Sequence, residues 1–206
     1  MSSASHLEGA LPHEPERATL EGRNKLLGFW LFLGGECVLF GTLFATFMTL
    51  RHNAMGGPTG VELFDLKLVA WATFILLTSS LTSVFAIQAM HVKKSVPQMM
   101  FWLIVTVLLG LGFLGLEVYE FYHYVHEGHG FTTSAFGTSF YSLVGFHGAH
   151  VAFGVMWITL LVIQLAVKGL TVVTAPKVYV ASLYWHFIDV VWVFIFTIVY
   201  LMGRMG

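Results

Sequence analysis

Five long apolar stretches, separated by short polar segments, dominate the hydrophobic pattern of this chain. Each stretch is close to the roughly 20 residues that an α-helix needs to cross the hydrocarbon core of a bilayer. The segments between them are rich in Gly, Pro, His or Lys, which favours turns and loops. The pattern predicts an all-α bundle of five transmembrane helices, at residues 26–50, 68–90, 99–122, 140–167 and 178–202.

The first 25 residues contain four glutamates and two prolines, and they lack the apolar core of a secretory signal peptide. We interpret residues 1–25 as a polar cytoplasmic tail. Residues 26–206 then form one transmembrane domain, in which we find no internal repeat.

The composition supports a membrane protein and excludes a nucleic-acid-binding one. Hydrophobic residues make up 57% of the chain and charged residues 10%, whereas soluble domains carry about 25% charged residues. The formal net charge of −1 offers no basic surface for nucleic acid. The single cysteine, Cys37, cannot form an internal disulfide, and we expect it to be a small buried apolar side chain.

The distribution of basic residues predicts which end of each helix faces the cytoplasm. Cytoplasmic segments of membrane proteins carry more Lys and Arg than external ones. With the N-terminus inside, the inner side holds seven such residues and the outer side three. This predicts a cytoplasmic N-terminus and an external C-terminus. The inner residues are Arg17, Arg23, Lys25, Lys93, Lys94, Lys168 and Lys177, and the outer ones are Arg51, Lys67 and Arg204.

Several ionisable side chains lie deep inside the apolar stretches, where a charge costs roughly 3 kcal/mol or more. Glu36 lies about ten residues from the inner end of the first helix, which is roughly 15 Å deep at 1.5 Å per residue. His147 and His150 share a face of helix four, and His186 and Asp189 share a face of helix five. Because their depths agree, we predict one buried polar cluster that joins helices one, four and five.

Within this cluster we propose specific partners. Glu36 pairs with His150, while Asp189 orients a neighbouring histidine or an indole N–H. Trp185 and Trp192 flank the polar residues of helix five, and we expect them to shield the cluster from lipid. A second acidic pair, Glu117 and Glu120, lies near the outer end of helix three, where water or headgroups can reach it.

Small residues recur at helical spacing and favour close helix packing in lipid. On helix one they are Gly28, Gly35 and Thr42, and on helix four they are Gly145, Gly148 and Ala152. The Ser and Thr residues of helix two have a more ordinary interpretation, since their hydroxyls bond to carbonyls one turn earlier.

The same residues leave other functions open. His150 and His186 could ligate a haem from facing helices, although bulky aromatic residues crowd both. Glu36 and Asp189 could carry protons in a stand-alone transporter. We favour hydrogen-bonded structural histidines over either. Three histidines of the outer loop resemble a weak metal patch, for which a solvated loop is the simpler interpretation: His123, His126 and His129.

Four motifs, in order, resemble subunit III of the haem–copper terminal oxidases, in its short five-helix bacterial form. The segment "GFWLFLGGECVLF" resembles the first shared helix of the family, whose membrane glutamate falls on Glu36 here. "GLEVYEF" is similar to the family's acidic segment, and "GFHGAHV" is similar to its two-histidine helix. "SLYWHFIDVVWVFIF" resembles the family's C-terminal signature. The matched positions are Glu36, Glu117, Glu120, His147, His150, Trp185, His186, Asp189 and Trp192.

The resemblance implies a non-redox accessory subunit of a proton-pumping cytochrome c oxidase in a bacterial plasma membrane. It implies that haems and copper lie in partner subunits and that this chain holds no catalytic centre, metal or cofactor. It implies direct contact with subunit I, further contacts with subunit II and a fourth subunit, and a role in sustaining proton uptake. A quinol oxidase of the same superfamily is the alternative within the family.

The resemblance also concerns lipid and reactivity. Bound phospholipid is the ligand that it suggests, although longer family members hold lipid in a cleft formed with two extra helices that this sequence lacks. In the family, the membrane carboxylate at the position of Glu36 reacts with hydrophobic carbodiimides.

Overall fold

The computed structural model describes residues 12, 14–51, 66–93, 95–126, 131 and 134–204. Among them it contains helices and no strand, and five helices are long and apolar enough to cross a membrane. The predicted all-α class and five spanning helices are therefore confirmed. They are α1 (Leu20–Leu50), α2 (Leu66–Gln88), α3 (Val96–His126), α4 (Ala135–Lys168) and α5 (Ala175–Ile195).

Each helix begins before its apolar stretch does, and α1 shows why. It begins at Leu20, six residues ahead of the apolar stretch. The Thr19 hydroxyl accepts a hydrogen bond from the Gly22 N–H at 3.0 Å and caps the first turn. Lys25 and Glu21 form an ion pair one turn apart, at 2.6 Å. The apolar stretch marks the hydrocarbon-facing part of a helix, whereas helical hydrogen bonding continues into the polar interface.

Some of the predicted segments fall outside the described residues. These are residues 1–11 and 13 of the predicted tail, nearly all of the Gly/Pro-rich connection between α1 and α2, and His129 of the outer loop.

Turns of π-helix extend α2 and α5 at their C-terminal ends, at Ala89–Lys93 and Phe196–Leu201. A π turn uses i→i+5 hydrogen bonds, so it winds each residue through a smaller angle than an α-helix does. Tyr200 consequently stays on the same side of α5 as Trp192, with 6.1 Å between their ring centroids. The wider turns therefore keep polar side chains pointed into the bundle beyond the regular helix.

Helix α5 lies at the centre of the bundle, and α1 lies at its edge. Half of the most apolar 18-residue stretch of α5 is buried, against 22% of that of α1. The small residues of α1 do not pack within the chain as predicted, because a Cβ at Gly28 or Gly35 would meet nothing within 4 Å. Cys37 is likewise exposed on α1, so the prediction of a buried cysteine is wrong.

The indole of Trp185 joins α5 to three other helices. Its Nε1–H donates a hydrogen bond to the Ser79 hydroxyl of α2 at 2.9 Å. A Cβ at Gly110 of α3 would lie 2.7 Å from its Cη2 atom, and a Cβ at Gly154 of α4 would lie 3.0 Å from its Cε3 atom. The absence of a side chain at Gly110 is therefore needed for the indole to fit, and Gly154 lets it pack closely on α4.

We expect Gly110→Ala to lower the free energy of unfolding by about 1–3 kcal/mol, because the added methyl group overlaps the Trp185 ring and Val155. Gly112→Ala is the matched control, since a Cβ there meets nothing within 4 Å. Unfolding in mild detergent, followed by near-UV circular dichroism, measures both. Equal stability of the two variants would show that the indole has room to move.

Candidate functional site

Glu36 and His150 link α1 to α4. His150 Nε2 lies 3.1 Å from Glu36 Oε2, so the structure brings together the pair proposed from their common depth. His150 Nδ1 lies 2.7 Å from the Phe146 carbonyl oxygen, which can only accept, so Nδ1 carries a proton. The hydrogen bond to Glu36 then needs one more proton, held by Nε2 or by the carboxyl group.

This pair lies at the edge of the bundle. The side chains of His150 and Glu36 are 17% and 13% exposed. The Phe40 ring packs beside the imidazole, with 5.1 Å between ring centroids. The Tyr184 hydroxyl donates to the His150 carbonyl oxygen at 3.2 Å, which ties α5 to the same place. The pair is therefore a partly covered polar contact between α1 and α4.

The remaining polar residues of α5 face α2. His186 Nδ1 shares a hydrogen bond with the Ser80 hydroxyl at 2.7 Å, and its Nε2 lies 3.4 Å from the Ser182 hydroxyl. Ser182 also shares a hydrogen bond with Ser83 at 2.8 Å. Glu36 and His186 therefore belong to two separate groups, and the single predicted cluster is wrong. Agreement in depth did not reveal that these side chains point toward different neighbours.

The tryptophans of α5 extend this contact with α2. The Nε1–H of Trp185 donates to Ser79, and that of Trp192 donates to the Thr73 hydroxyl at 3.0 Å. Both indoles are 1% exposed. The prediction that they shield polar groups from lipid is therefore wrong, since they lie in the core and are themselves hydrogen-bonded.

The Ser and Thr residues of α2 are the partners that the sequence interpretation missed. Ser79 still bonds back to a carbonyl of its own helix, as that interpretation expected, but it also accepts the Trp185 N–H. The available signal was the matching of polar positions in opposite chain directions, from Ser83 with Ser182 to Thr73 with Trp192. Two antiparallel helices bring such positions side by side.

Asp189 and His147 are buried in the interior without the predicted partners. Among the residues that the structure describes, neither ring nitrogen of His147 has a hydrogen-bond partner. The Asp189 carboxyl group lies near the Ser80 hydroxyl, but no hydrogen bond of ordinary length and angle joins them. His147 instead stacks on Trp192, with 5.1 Å between ring centroids. The structure does not show the direct contact predicted between Asp189 and a histidine or an indole, because His186 and both indoles bond to hydroxyl groups. Ser80 lies between Asp189 and His186, since its hydroxyl bonds to His186 and lies near the carboxyl group.

Glu117 and Glu120 are also buried, each 6% exposed, although we expected water or headgroups to reach them. Glu120 accepts hydrogen bonds from the hydroxyls of Tyr124 at 2.5 Å and Tyr200 at 3.1 Å. The Glu117 carboxylate instead packs on α4, where a Cβ at Gly148 would lie 2.6 Å from its Oε2 atom. Both side chains point into the bundle because their face of α3 packs on α4 and α5.

A further polar pair joins Glu16, a buried residue of the segment interpreted as a polar tail, to His91 at the end of α2. Glu16, in the 3-10 turn Pro15–Arg17, is 2% exposed, and its Oε2 atom lies 3.1 Å from His91 Nε2. The turn packs on the start of α1, where a Cβ at Gly22 would collide with the Glu16 carbonyl oxygen. This pair fixes the N-terminal turn to the end of α2.

The histidines at the end of α3 lie on its surface. His123 stacks on Tyr119, with 6.4 Å between ring centroids, and His126 packs on Tyr122 at 4.5 Å. Across the described part of the chain, no three His, Cys, Asp or Glu side chains are grouped so that they could hold a metal ion.

Comparison with known proteins gives a consistent assignment. The family model described as cytochrome c oxidase subunit III matches residues 8–204. Cytochrome c oxidase subunit 3 of Bacillus sp. (strain PS3) is 64% identical over 197 residues, which cover 95% of this chain and 94% of that protein. The same protein of Bacillus subtilis (strain 168) matches to the same extent. Quinol oxidase subunit 3 of Bacillus subtilis (strain 168) is 50% identical over 206 residues, the full length of both chains.

We expect the Glu36–His150 contact to show energetic coupling. Glu36→Leu and His150→Leu should each lower the free energy of unfolding by about 1–3 kcal/mol, because each leaves the other polar group without its partner. The double variant should lose clearly less than the sum of the two. Chemical unfolding of the four proteins in mild detergent gives the coupling free energy.

The exposed neighbour Cys37 provides the control. Cys37→Ala combined with His150→Leu should be additive, because Cys37 has an exposed position on α1. Additivity of Glu36→Leu and His150→Leu would contradict a stabilising contact.

Proposed function

This chain belongs to the cytochrome c oxidase subunit III family, and from that membership we propose that it is the non-redox accessory subunit of a proton-pumping haem–copper terminal oxidase. Its work is to pack against subunit I, to stabilise the complex and to sustain proton uptake. The observation that carries the proposal is the 64% identity with cytochrome c oxidase subunit 3 over nearly the whole chain.

The comparison also favours cytochrome c over quinol as the electron donor of the complex. Two relatives from one organism, Bacillus subtilis (strain 168), can be set side by side. The chain is 64% identical to the cytochrome c oxidase subunit 3 and 50% identical to the quinol oxidase subunit 3 of that strain. A quinol oxidase subunit III is the alternative within the family.

The hydrogen bonds of His150 and His186, the two histidines considered as haem ligands, support a structural role for them. Both ring nitrogens of His150 have partners, Glu36 and the Phe146 carbonyl. His186 contacts Ser80 and Ser182 through its two nitrogens. An axial haem ligand needs one free nitrogen that faces the iron. These contacts favour partner subunits as the place of the haems and copper.

We place the N-terminus on the cytoplasmic side of a bacterial plasma membrane and the C-terminus outside. The excess of Lys and Arg on the N-terminal side of the membrane supports this orientation. The proposed partners are subunit I by direct contact, then subunit II and a fourth subunit. Many exposed apolar side chains on all five helices leave room for partners and for lipid.

An anionic phospholipid is the ligand that we propose for this chain. A groove of about 510 Å³ lies at the inner end of α4, bounded by apolar side chains and by two lysines. Lys177 donates a hydrogen bond to Gln164 at 3.4 Å, and Lys168 ends α4 beside them. The lysines suit a headgroup phosphate and the apolar wall suits an acyl chain. The wall consists of Trp157, Leu160, Leu161, Ile163 and Val167.

A stand-alone proton-coupled transporter is the candidate from another class. It predicts solute or proton flux in liposomes that contain this chain alone. The Glu36–His150 contact does not favour it, since the pair joins two helices at the edge of the bundle.

Purification from native membranes in mild detergent tests the proposed function. We expect an affinity-tagged chain to co-purify with a haem-bearing large subunit, in a complex that oxidises reduced cytochrome c faster than quinol. The separated chain should be colourless. Untagged cells provide the control for non-specific capture. A colourless chain without partners would support the transporter, and a chain that keeps its own Soret band would show that it binds haem.

The lipid proposal predicts the effect of removing charge from the groove. A Lys near anionic lipid contributes about 1 kcal/mol, so Lys168→Gln with Lys177→Gln removes about 2 kcal/mol and should weaken the retention of anionic phospholipid roughly 30-fold. Lys25→Gln is the control, because Lys25 pairs with Glu21 and does not line the groove. Mass spectrometry of lipid extracted from the purified protein measures the loss. Equal lipid in both variants would contradict the site.

A further inference from the structure

Among the described residues, three buried polar side chains inside the bundle lack well-formed hydrogen bonds, one each from α3, α4 and α5. Glu117 is 6% exposed, His147 0% and Asp189 4%. Within the described part of the chain, both carboxylate oxygens of Glu117 and both ring nitrogens of His147 have no hydrogen-bond partner. The Asp189 carboxylate has only the Ser80 hydroxyl near it, without a hydrogen bond of ordinary length and angle. Native proteins satisfy nearly all such groups, so each exception needs an explanation.

One layer of aromatic rings contains His147 and lies between Glu117 and Asp189. Phe113, His147 and Trp192 contact one another, with ring centroids 4.7–5.9 Å apart. Glu117 lies one helical turn after Phe113 on α3, and Asp189 lies one turn before Trp192 on α5. Because alternate spanning helices run in the same direction, α3 and α5 are parallel. Glu117 and Asp189 therefore lie on opposite sides of the ring layer, with His147 between them.

Hydrogen-bonded groups continue from both sides of this region. On the outer side, Glu120 accepts from Tyr124 and Tyr200. On the inner side, the serines of α2 and α5 bond to one another and to His186. Ser182 and Tyr200 mark the two ends on α5, and 18 residues separate them, which is roughly 25 Å along the helix. Polar groups thus follow most of the ~30 Å thickness of the hydrocarbon core.

Gly148 determines where the Glu117 carboxylate lies. A Cβ at this position would come within 2.6 Å of the Oε2 atom, so the absence of a side chain lets the carboxylate approach the backbone of α4. It is therefore held beside the residue that follows His147, at the α3–α4 contact. The position of the Glu117 carboxylate thus depends on the glycine at the contact between α3 and α4.

We propose that Glu117, His147 and Asp189 bind ordered water molecules, which join the outer and inner hydrogen-bonded groups into one polar column through the bundle. Water fits the chemistry of these groups, since it can donate to a carboxylate and either donate to or accept from an imidazole. A metal ion fits less well, because the described residues hold no group of three metal-ligating side chains. The column lies in the core, apart from the Glu36–His150 contact.

A density map of the intact protein in its native complex, at a resolution that shows ordered water, tests the proposal directly. We expect peaks within hydrogen-bonding distance, about 2.6–3.2 Å, of the Glu117 carboxylate, of His147 and of Asp189. A map that shows ordered water elsewhere in the protein but none at these atoms would overturn it.

Substitution of Glu117 gives a second, independent test. An unpartnered dry carboxyl group can be replaced by an apolar one at no cost, whereas a water-bonded group cannot. We therefore expect Glu117→Leu to lower the melting temperature by roughly 2–10 °C. Glu117→Gln should stay near the original value, because an amide keeps hydrogen bonds to water. Val118→Leu, at the exposed neighbouring position, is the control.

The variants distinguish all outcomes. A melting temperature of Glu117→Leu at or above that of the unchanged protein would show a dry, unpartnered acid and overturn the proposal. If Glu117→Leu fails to assemble, Glu117→Gln decides: normal stability with retained water peaks supports the column, and the loss of those peaks without loss of stability contradicts it.

Discussion

The bundle depends on the insertion of the Trp185 indole between two glycines. Apolar helices gain little free energy when they exchange lipid tails for other apolar side chains. They therefore associate through close packing and hydrogen bonds. Trp185 supplies both, because its ring fits against Gly110 of α3 and Gly154 of α4 while its N–H reaches Ser79 of α2. One side chain of the central helix thus sets the distance and rotation of three neighbours.

Polar side chains hold the other contacts, and most of them serve helix association. Glu36 and His150 join α1 to α4, while His186 and the serines join α5 to α2. Among the described residues, Glu117 and His147 have no such partner and lie in the interior. This division suits the accessory role proposed above, in which His150 and His186 act as structural links and the interior holds the proposed water.

The π turns at the ends of α2 and α5 serve a related purpose. An α-helix that continued regularly would rotate its polar residues away from the bundle. The wider turns carry His91 to the buried Glu16 and Tyr200 to the buried Glu120. Both acids are thus paired near the ends of the membrane-spanning region, where the regular helices stop.

The sequence by itself determined the class of protein, the number of spanning helices and the depth of each polar residue. Bilayer thickness imposes the length of an apolar stretch, and depth is counted along the chain. Common depth was enough to propose the Glu36–His150 pair. It also predicted, wrongly, that His186 belongs to the same cluster as this pair. The positions of Trp185 and Trp192 beside the polar residues of helix five suggested a shield against lipid, whereas both indoles lie in the core. Only the tertiary structure decided the rotation of each helix about its axis. That rotation depends on how the glycines, indoles and hydroxyl groups of separate helices contact one another.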